Sequence, residues 1–89
     1  MENQLYNIND ICKSYQIETT FIHELHAHGL IEIRYIESQG FIQEEQLPKV
    51  EKFHTWHNEL ELNFPALDVV FQLIEKITEL QEKVKELNK

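Results

Sequence analysis

Positive charge is scarce in this chain of 89 residues: 8 Lys and Arg stand against 16 Asp and Glu, a formal net charge of −8. The shortage is greatest in residues 1 to 48, where only Lys13 and Arg34 face Glu2, Asp10, Glu18, Glu24, Glu32, Glu37, Glu44 and Glu45, a balance of −6. A polyanion is repelled wherever cations are not clustered to oppose that charge, so nucleic acid is disfavoured and a neutral or basic partner favoured. Cysteine is nearly absent as well. Cys12 stands alone, which excludes an internal disulfide and a cysteine metal site, and a small buried hydrophobe is its expected role. No run approaches the roughly 18 apolar residues of a membrane span. The opening MENQLYNIND has neither the basic start nor the apolar block of a signal peptide, so a cytoplasmic protein is expected.

Catalytic patterns are missing too. Gly29 and Gly40 are the two glycines, too few for a phosphate-cradling loop, and they are expected as a helix stop and a turn. Neither a serine-histidine-acid order nor paired acids in a pocket can be read, so the expectation is a protein that is not an enzyme and needs no cofactor. The stretch HELHAH, residues 23 to 28, lacks the metalloprotease spacing because Ala27 stands where the second His belongs. His23 with His26, and His54 with His57, have no third ligand specified by spacing, so no metal is expected. Protonation of these histidines would reduce the negative charge, and the affinity for a basic partner is expected to change between about pH 6 and 8.

What is present is helical patterning for one compact domain with a modest core. Asn9 is the expected cap of a short first helix containing Asp10, and Tyr15-Gln16-Ile17 interrupts it. Thr19, Phe21, Ile22 and Leu25, stopped at Gly29, describe a second helix, and two short helices this close suggest a helix-turn-helix. IEIRYI, turned by ESQG before Phe41 and Ile42, reads as a hairpin or wing. A third helix is expected from about Glu44 to Glu59, with Leu47, Val50, Phe53, His57 and Leu60 on its apolar face and Pro48 in its first turn. Trp56 is expected to be partly buried against a fourth helix.

That fourth helix starts at the cap Asn63 with Pro65 in its first turn. Val70, Leu73, Ile77, Leu80, Val84 and Leu87 alternate steps of three and four, a seam that should pair with another helix. Leu67, Phe71 and Ile74 widen the apolar face of the first half, so this half should pack on the body while the second half projects. A homodimer through this coiled-coil seam is expected, parallel or antiparallel. The expected division is a winged helix-turn-helix over 1–62 and a dimerisation helix over 63–89, within a single structural domain.

Ile8, Ile11, Ile17, Ile22 and Gly29-Leu30-Ile31 stand where the apolar skeleton and helix exit of MerR-type winged helix proteins fall, and the chain resembles that family over nearly its whole length. The resemblance implies a mainly α fold: a MerR-like winged helix-turn-helix with a small β-hairpin wing and a long C-terminal helix. Glu59-Leu60-Glu61-Leu62-Asn63-Phe64-Pro65 is similar to the joint of the CbpM-like chaperone modulators, a branch of this fold. DNA-reading relatives usually carry Arg and an aromatic residue where this chain has His23 and Glu24.

The narrower resemblance implies a chaperone modulator that binds the J-domain of a DnaJ/CbpA-type co-chaperone and inhibits its cooperation with Hsp70 (DnaK). J-domains resemble one another in carrying a basic second helix, which Asp10, Glu18 and Glu24 would oppose electrostatically. Tyr6, Phe21 and Tyr15 are candidate aromatic anchors. The alternative is a MerR-type DNA-binding regulator using His23, His26, Arg34 and the wing, with Lys49 and Lys52 assisting if they lie beside it. A third reading is a structural adaptor joined through the C-terminal seam.

Overall fold

Asn7, rather than Asn9, starts the first helix. In the computed structural model, which describes residues 4–88, a strand β1 (Leu5–Asn7) runs directly into α1 (Ile8–Tyr15). Asn7 is therefore the extended residue at the boundary, and its side-chain oxygen accepts from the Asn9 amide at 2.8 Å. Asn9 is already helical, and Asp10 lies in the first turn, where the helix dipole favours an acid. Gln16 ends α1 in the left-handed region, with φ 56°, and Ile17 follows with its amide on the Cys12 carbonyl. Cys12 is half-buried against the core.

The second helix, α2 (Thr19–Ala27), ends in a paired-bond cap. The Gly29 amide bonds to His26 and the Leu30 amide reaches back to Leu25, with Gly29 at φ 73°. This is the geometry in which glycine closes a helix and the next apolar residue turns inward, and Leu30 is indeed buried. Thus Gly29 is the expected helix stop.

The wing is shorter than IEIRYI suggests. Strand β2 covers Arg34–Ile36, while Ile31 and Ile33 are buried in the irregular segment before it. A Glu37-Ser38 turn leads into β3 (Gln39–Gln43). Both turn residues have positive φ, the two-residue hairpin geometry that matches strand twist. Gly40 is therefore not the turn residue. It sits inside β3, where an added Cβ would lie 2.6 Å from Ile8 Cδ1 and 3.2 Å from Ile33 Cγ2. Its lack of a side chain lets α1 approach the sheet closely. β3 is central in the antiparallel order β1-β3-β2, pairing Tyr6 with Ile42 on one side and Tyr35 with Gly40 on the other.

A 3-10 turn at Glu44–Gln46 precedes α3 (Leu47–Glu59), with Pro48 in the first turn. The Gln46 side-chain amide bonds both backbone groups of Glu32, at 2.8 and 3.0 Å, tying the base of the wing to α3. Val50 and Phe53 enter the core, and half-buried Trp56 meets Phe53 edge-on. Leu60, expected on the apolar face, is instead 59% exposed because the chain leaves the helix there and only its amide is used, closing the last turn on Trp56.

Asn63 caps α4 (Phe64–Leu87), accepting from the Ala66 amide at 2.9 Å. Leu67 is fully buried beneath the other helices, and Phe71 packs against Phe53. Ile74 is already exposed, so docking on the body ends after about two and a half turns. The core joins Ile8, Ile11, Ile17, Ile22, Leu25, Leu30, Ile31, Ile42, Val50, Phe53 and Leu67 across every layer. The result is a mainly helical winged helix-turn-helix with a long C-terminal helix, as expected. Among the described residues no helix is long and apolar enough to cross a membrane.

Candidate functional site

Helix α2 presents two different surfaces. With Phe21, Ile22 and Leu25 buried, the helical period places Thr20, His23 and Ala27 on the opposite, outward face. Neither Lys nor Arg occurs in the helix. Glu18 and Glu24 lie toward a flank where α2 meets α3 and the start of α4.

That flank is organised by aromatic rings. Phe21 is 9% exposed. Its ring centroid lies 5.3 Å from that of His54, 5.2 Å from His57 and 5.6 Å from Phe64. Phe21 is thus a core residue and not an anchor reaching out to a partner, because three rings from α3 and α4 cover it. Phe64 is stacked between His28 at 5.1 Å and His57 at 5.2 Å. The His57 ring donates through Nδ1 to the Leu62 carbonyl at 2.7 Å, fixing the chain just before α4 begins. Glu24 Oε2 lies 3.6 Å from His28 Nε2, an ion pair only when His28 carries a proton.

The consequence is spatial. The acidic second helix and the ELELNFP joint, about 40 residues apart in sequence, become one surface. Glu24 borders the rings through His28 and Glu18 through the cleft it shares with Phe21 and His54, while Glu59, Leu60 and Glu61 are exposed at the end of α3 and in the joint. Tyr6 and Asp10 have no hydrogen bond or aromatic contact to this cluster. Tyr6 is half-buried in β1 with its hydroxyl donating to Gln4 at 2.8 Å, and Asp10 is exposed on α1. Tyr15 is exposed at the end of α1.

Of the cations on the body, only Lys49 and Lys52 share an element. Lys13 closes α1, Arg34 is on β2, and Lys49 Nζ lies 4.9 Å over the Phe71 ring. Lys49 does line the cleft at the base of the wing, but shares it with Glu32 and Glu45. Lys52 is exposed on α3. The histidines also serve separate purposes: His26 faces the Ile31 carbonyl at 3.3 Å, while His54 receives the Asn58 side-chain amide at 3.0 Å. Among the described residues no group of three or more His, Cys, Asp or Glu could hold a metal ion.

On α4, Leu73, Ile77, Leu80, Val84 and Leu87 are all at least half exposed, and Val70 is half-buried where the helix leaves the body. The apolar stripe is continuous. Ile77, Leu80 and Val84 line a shallow groove with Gln81 and Lys85.

Residues 6–89 match the family described as MerR HTH family regulatory protein. The chain belongs to this family. No curated protein matches the sequence. Within the MerR HTH frame, the helix-turn-helix and wing are retained while cations are missing from the outward face of α2. Sequence reasoning found α2 and the joint separately and missed the His28-Phe64-His57 stack that unites them. Phe64 carried the only local signal, through its place in the cap sequence; His28 carried none.

Proposed function

We propose that this MerR-family protein uses its helix-turn-helix to bind protein: it docks on the basic helix of the J-domain of a DnaJ/CbpA-type co-chaperone and inhibits that co-chaperone's work with Hsp70. The observation that carries the reading is the packing of the acidic flank of α2 and the ELELNFP joint into one surface through the Phe21, His28, His57 and Phe64 rings. Glu18, Glu24, Glu59 and Glu61 supply charge opposite to a basic helix. Exposed pairs of this kind contribute only about 0.2–1 kcal/mol each, so they select and orient the partner. Leu60, exposed at the end of α3, offers apolar area for affinity. Inhibition follows from occupancy, because a basic helix covered here is unavailable to Hsp70.

A homodimer through the α4 stripe belongs to the same proposal. Burying one such side chain fully is worth about 1.5–3 kcal/mol, and five in succession are a large exposed liability for a monomer. The functional test is the ATPase rate of Hsp70 stimulated by the J-domain co-chaperone. Added chain should reduce the stimulation in a saturable way that more co-chaperone reverses, while leaving the basal rate unchanged. Unchanged stimulation at saturating chain contradicts the reading.

Family membership favours a second reading, a DNA-binding regulator using His23, His26, Arg34 and the wing, assisted by Lys49 and Lys52. Its requirement is several cations converging on phosphates, and among Lys and Arg on the body only Lys49 and Lys52 share an element, which makes it the weaker reading. Salt-sensitive, operator-specific binding in a mobility-shift assay would establish it.

A further inference from the structure

A cleft of about 310 Å³ opens beside α2, lined by Gln16, Glu18, Phe21, His54 and Asn58. Its floor is aromatic: the Phe21 and His54 rings meet edge-on, 79° apart. Its rim is rich in acceptors. Glu18 occupies the cap position of α2 yet makes no side-chain bond to the helix amides, and its nearest partner is the Thr20 hydroxyl at 3.5 Å. The Asn58 amide nitrogen donates to His54 Nε2 at 3.0 Å, leaving Asn58 Oδ1 free to accept. Gln16, held in its left-handed conformation by the turn, brings a second amide to the rim. Neither lysine nor arginine lines it, and its one titratable base is His54.

A carboxylate, amide oxygens and an aromatic floor match one side chain in particular. The guanidinium is a planar cation with five donors that lies flat on aromatic rings and bonds several acceptors in its own plane. A lysine ammonium offers the charge without the plane or the fork. We infer that this cleft is an arginine-selective pocket, taking the guanidinium of one arginine presented on the partner's basic helix. The inference deepens the J-domain reading by naming a specificity contact within that interface, and it rests on that reading for the source of the arginine.

Two probes separate the pocket from the reading. The first is capped arginine amide against capped lysine amide, titrated into the intact ¹⁵N-labelled protein. Arginine should shift the amide resonances of Gln16, Glu18, Phe21, His54 and Asn58 at concentrations where lysine does not. The second is the intact J-domain, titrated by calorimetry into wild type, Glu18→Gln and Asn58→Leu. Each variant should weaken binding by about tenfold, the usual worth of a charge-assisted or multiply bonded contact. Asn58 is exposed on α3, so its variant tests the contact even if Glu18→Gln perturbs the start of α2.

J-domain binding unchanged by both variants, with arginine and lysine equivalent, overturns the pocket and leaves the modulator reading standing. Arginine-selective shifts without J-domain binding support the pocket and overturn the J-domain as its source. Arginine-selective shifts with J-domain affinity unaffected by either variant overturn the assignment of the pocket to the partner's helix.

Discussion

Replacing Phe64 by Ala removes the ring that sits between His28 and His57 and touches Phe21. A fully buried Phe costs about 3–5 kcal/mol on truncation. Phe64 is half-buried, so a loss of about 2 kcal/mol is expected. In a domain of this size that corresponds to a fall in Tm of roughly 10 °C at fixed protein concentration. Crossing this change with His28→Ala isolates the stack. Aromatic pairs carry about 0.5–1.5 kcal/mol beyond area burial, so the two changes together should destabilise less than the sum of each alone by about 1 kcal/mol. The assay is urea unfolding followed by circular dichroism, with m compared across the four proteins to establish that the transition is unchanged in kind. Strict additivity within 0.3 kcal/mol, taken as roughly the limit for independent sites, would refute the claim that the α4 joint is fastened to α2 through this ring.

Three further predictions concern local geometry and assembly. Glu37→Asn with Ser38→Gly should stabilise the protein by about 1 kcal/mol, since both positions have positive φ and these residues tolerate it better, a rise visible in thermal melts. Gly29→Ala should cost about 1 kcal/mol purely through backbone strain, because no atom lies within 4 Å of the new Cβ, whereas Gly40→Ala should cost about 1–3 kcal/mol through its collision with Ile8. A Gly40→Ala melt no lower than wild type would contradict the close approach given to Gly40, and an unchanged Gly29→Ala melt the strain given to Gly29. Ile77→Glu should leave the helical circular dichroism spectrum of the body intact while shifting the sedimentation coefficient from dimer to monomer; a monomeric wild type would remove the α4 pairing.

The helices were legible because their signals are local. Asn63, Pro65 and the spacing of Leu67 and Phe71 set the start and inner face of α4, and Leu25, Gly29 and Leu30 carry the whole cap of α2. Strand β1 was not legible. Its three residues have no periodicity of their own, and they become a strand only because β3 lies beside them. The same missing partner misplaced the first cap at Asn9, since nothing in the sequence tells that Asn7 is the last extended residue. Gly40 was misread for a related reason: the demand for a bare Cα comes from Ile8 and Ile33, brought to it by the fold.

At the candidate site, charge was readable and depth was not. Glu18 and Glu24 are exposed, as acidic residues usually are, but Phe21 lies under rings contributed by residues 33 to 43 positions later. An aromatic residue on a short amphipathic helix serves equally as anchor or floor until its neighbours are known. The wing also divides on this point. Ile31 and Ile33 are buried as alternation suggests, while Tyr35, next in the pattern, is 55% exposed on β2, an edge strand of the sheet.

The most direct test is a calorimetric titration of the chain against the J-domain of its own organism's DnaJ-type co-chaperones, at low and at moderate salt, with Glu24→Lys as the charge-reversed control. Saturable binding that weakens with salt and weakens again on charge reversal is the predicted result. Absence of heat and of competition with every J-domain at low salt would contradict the account and turn attention to the operator search.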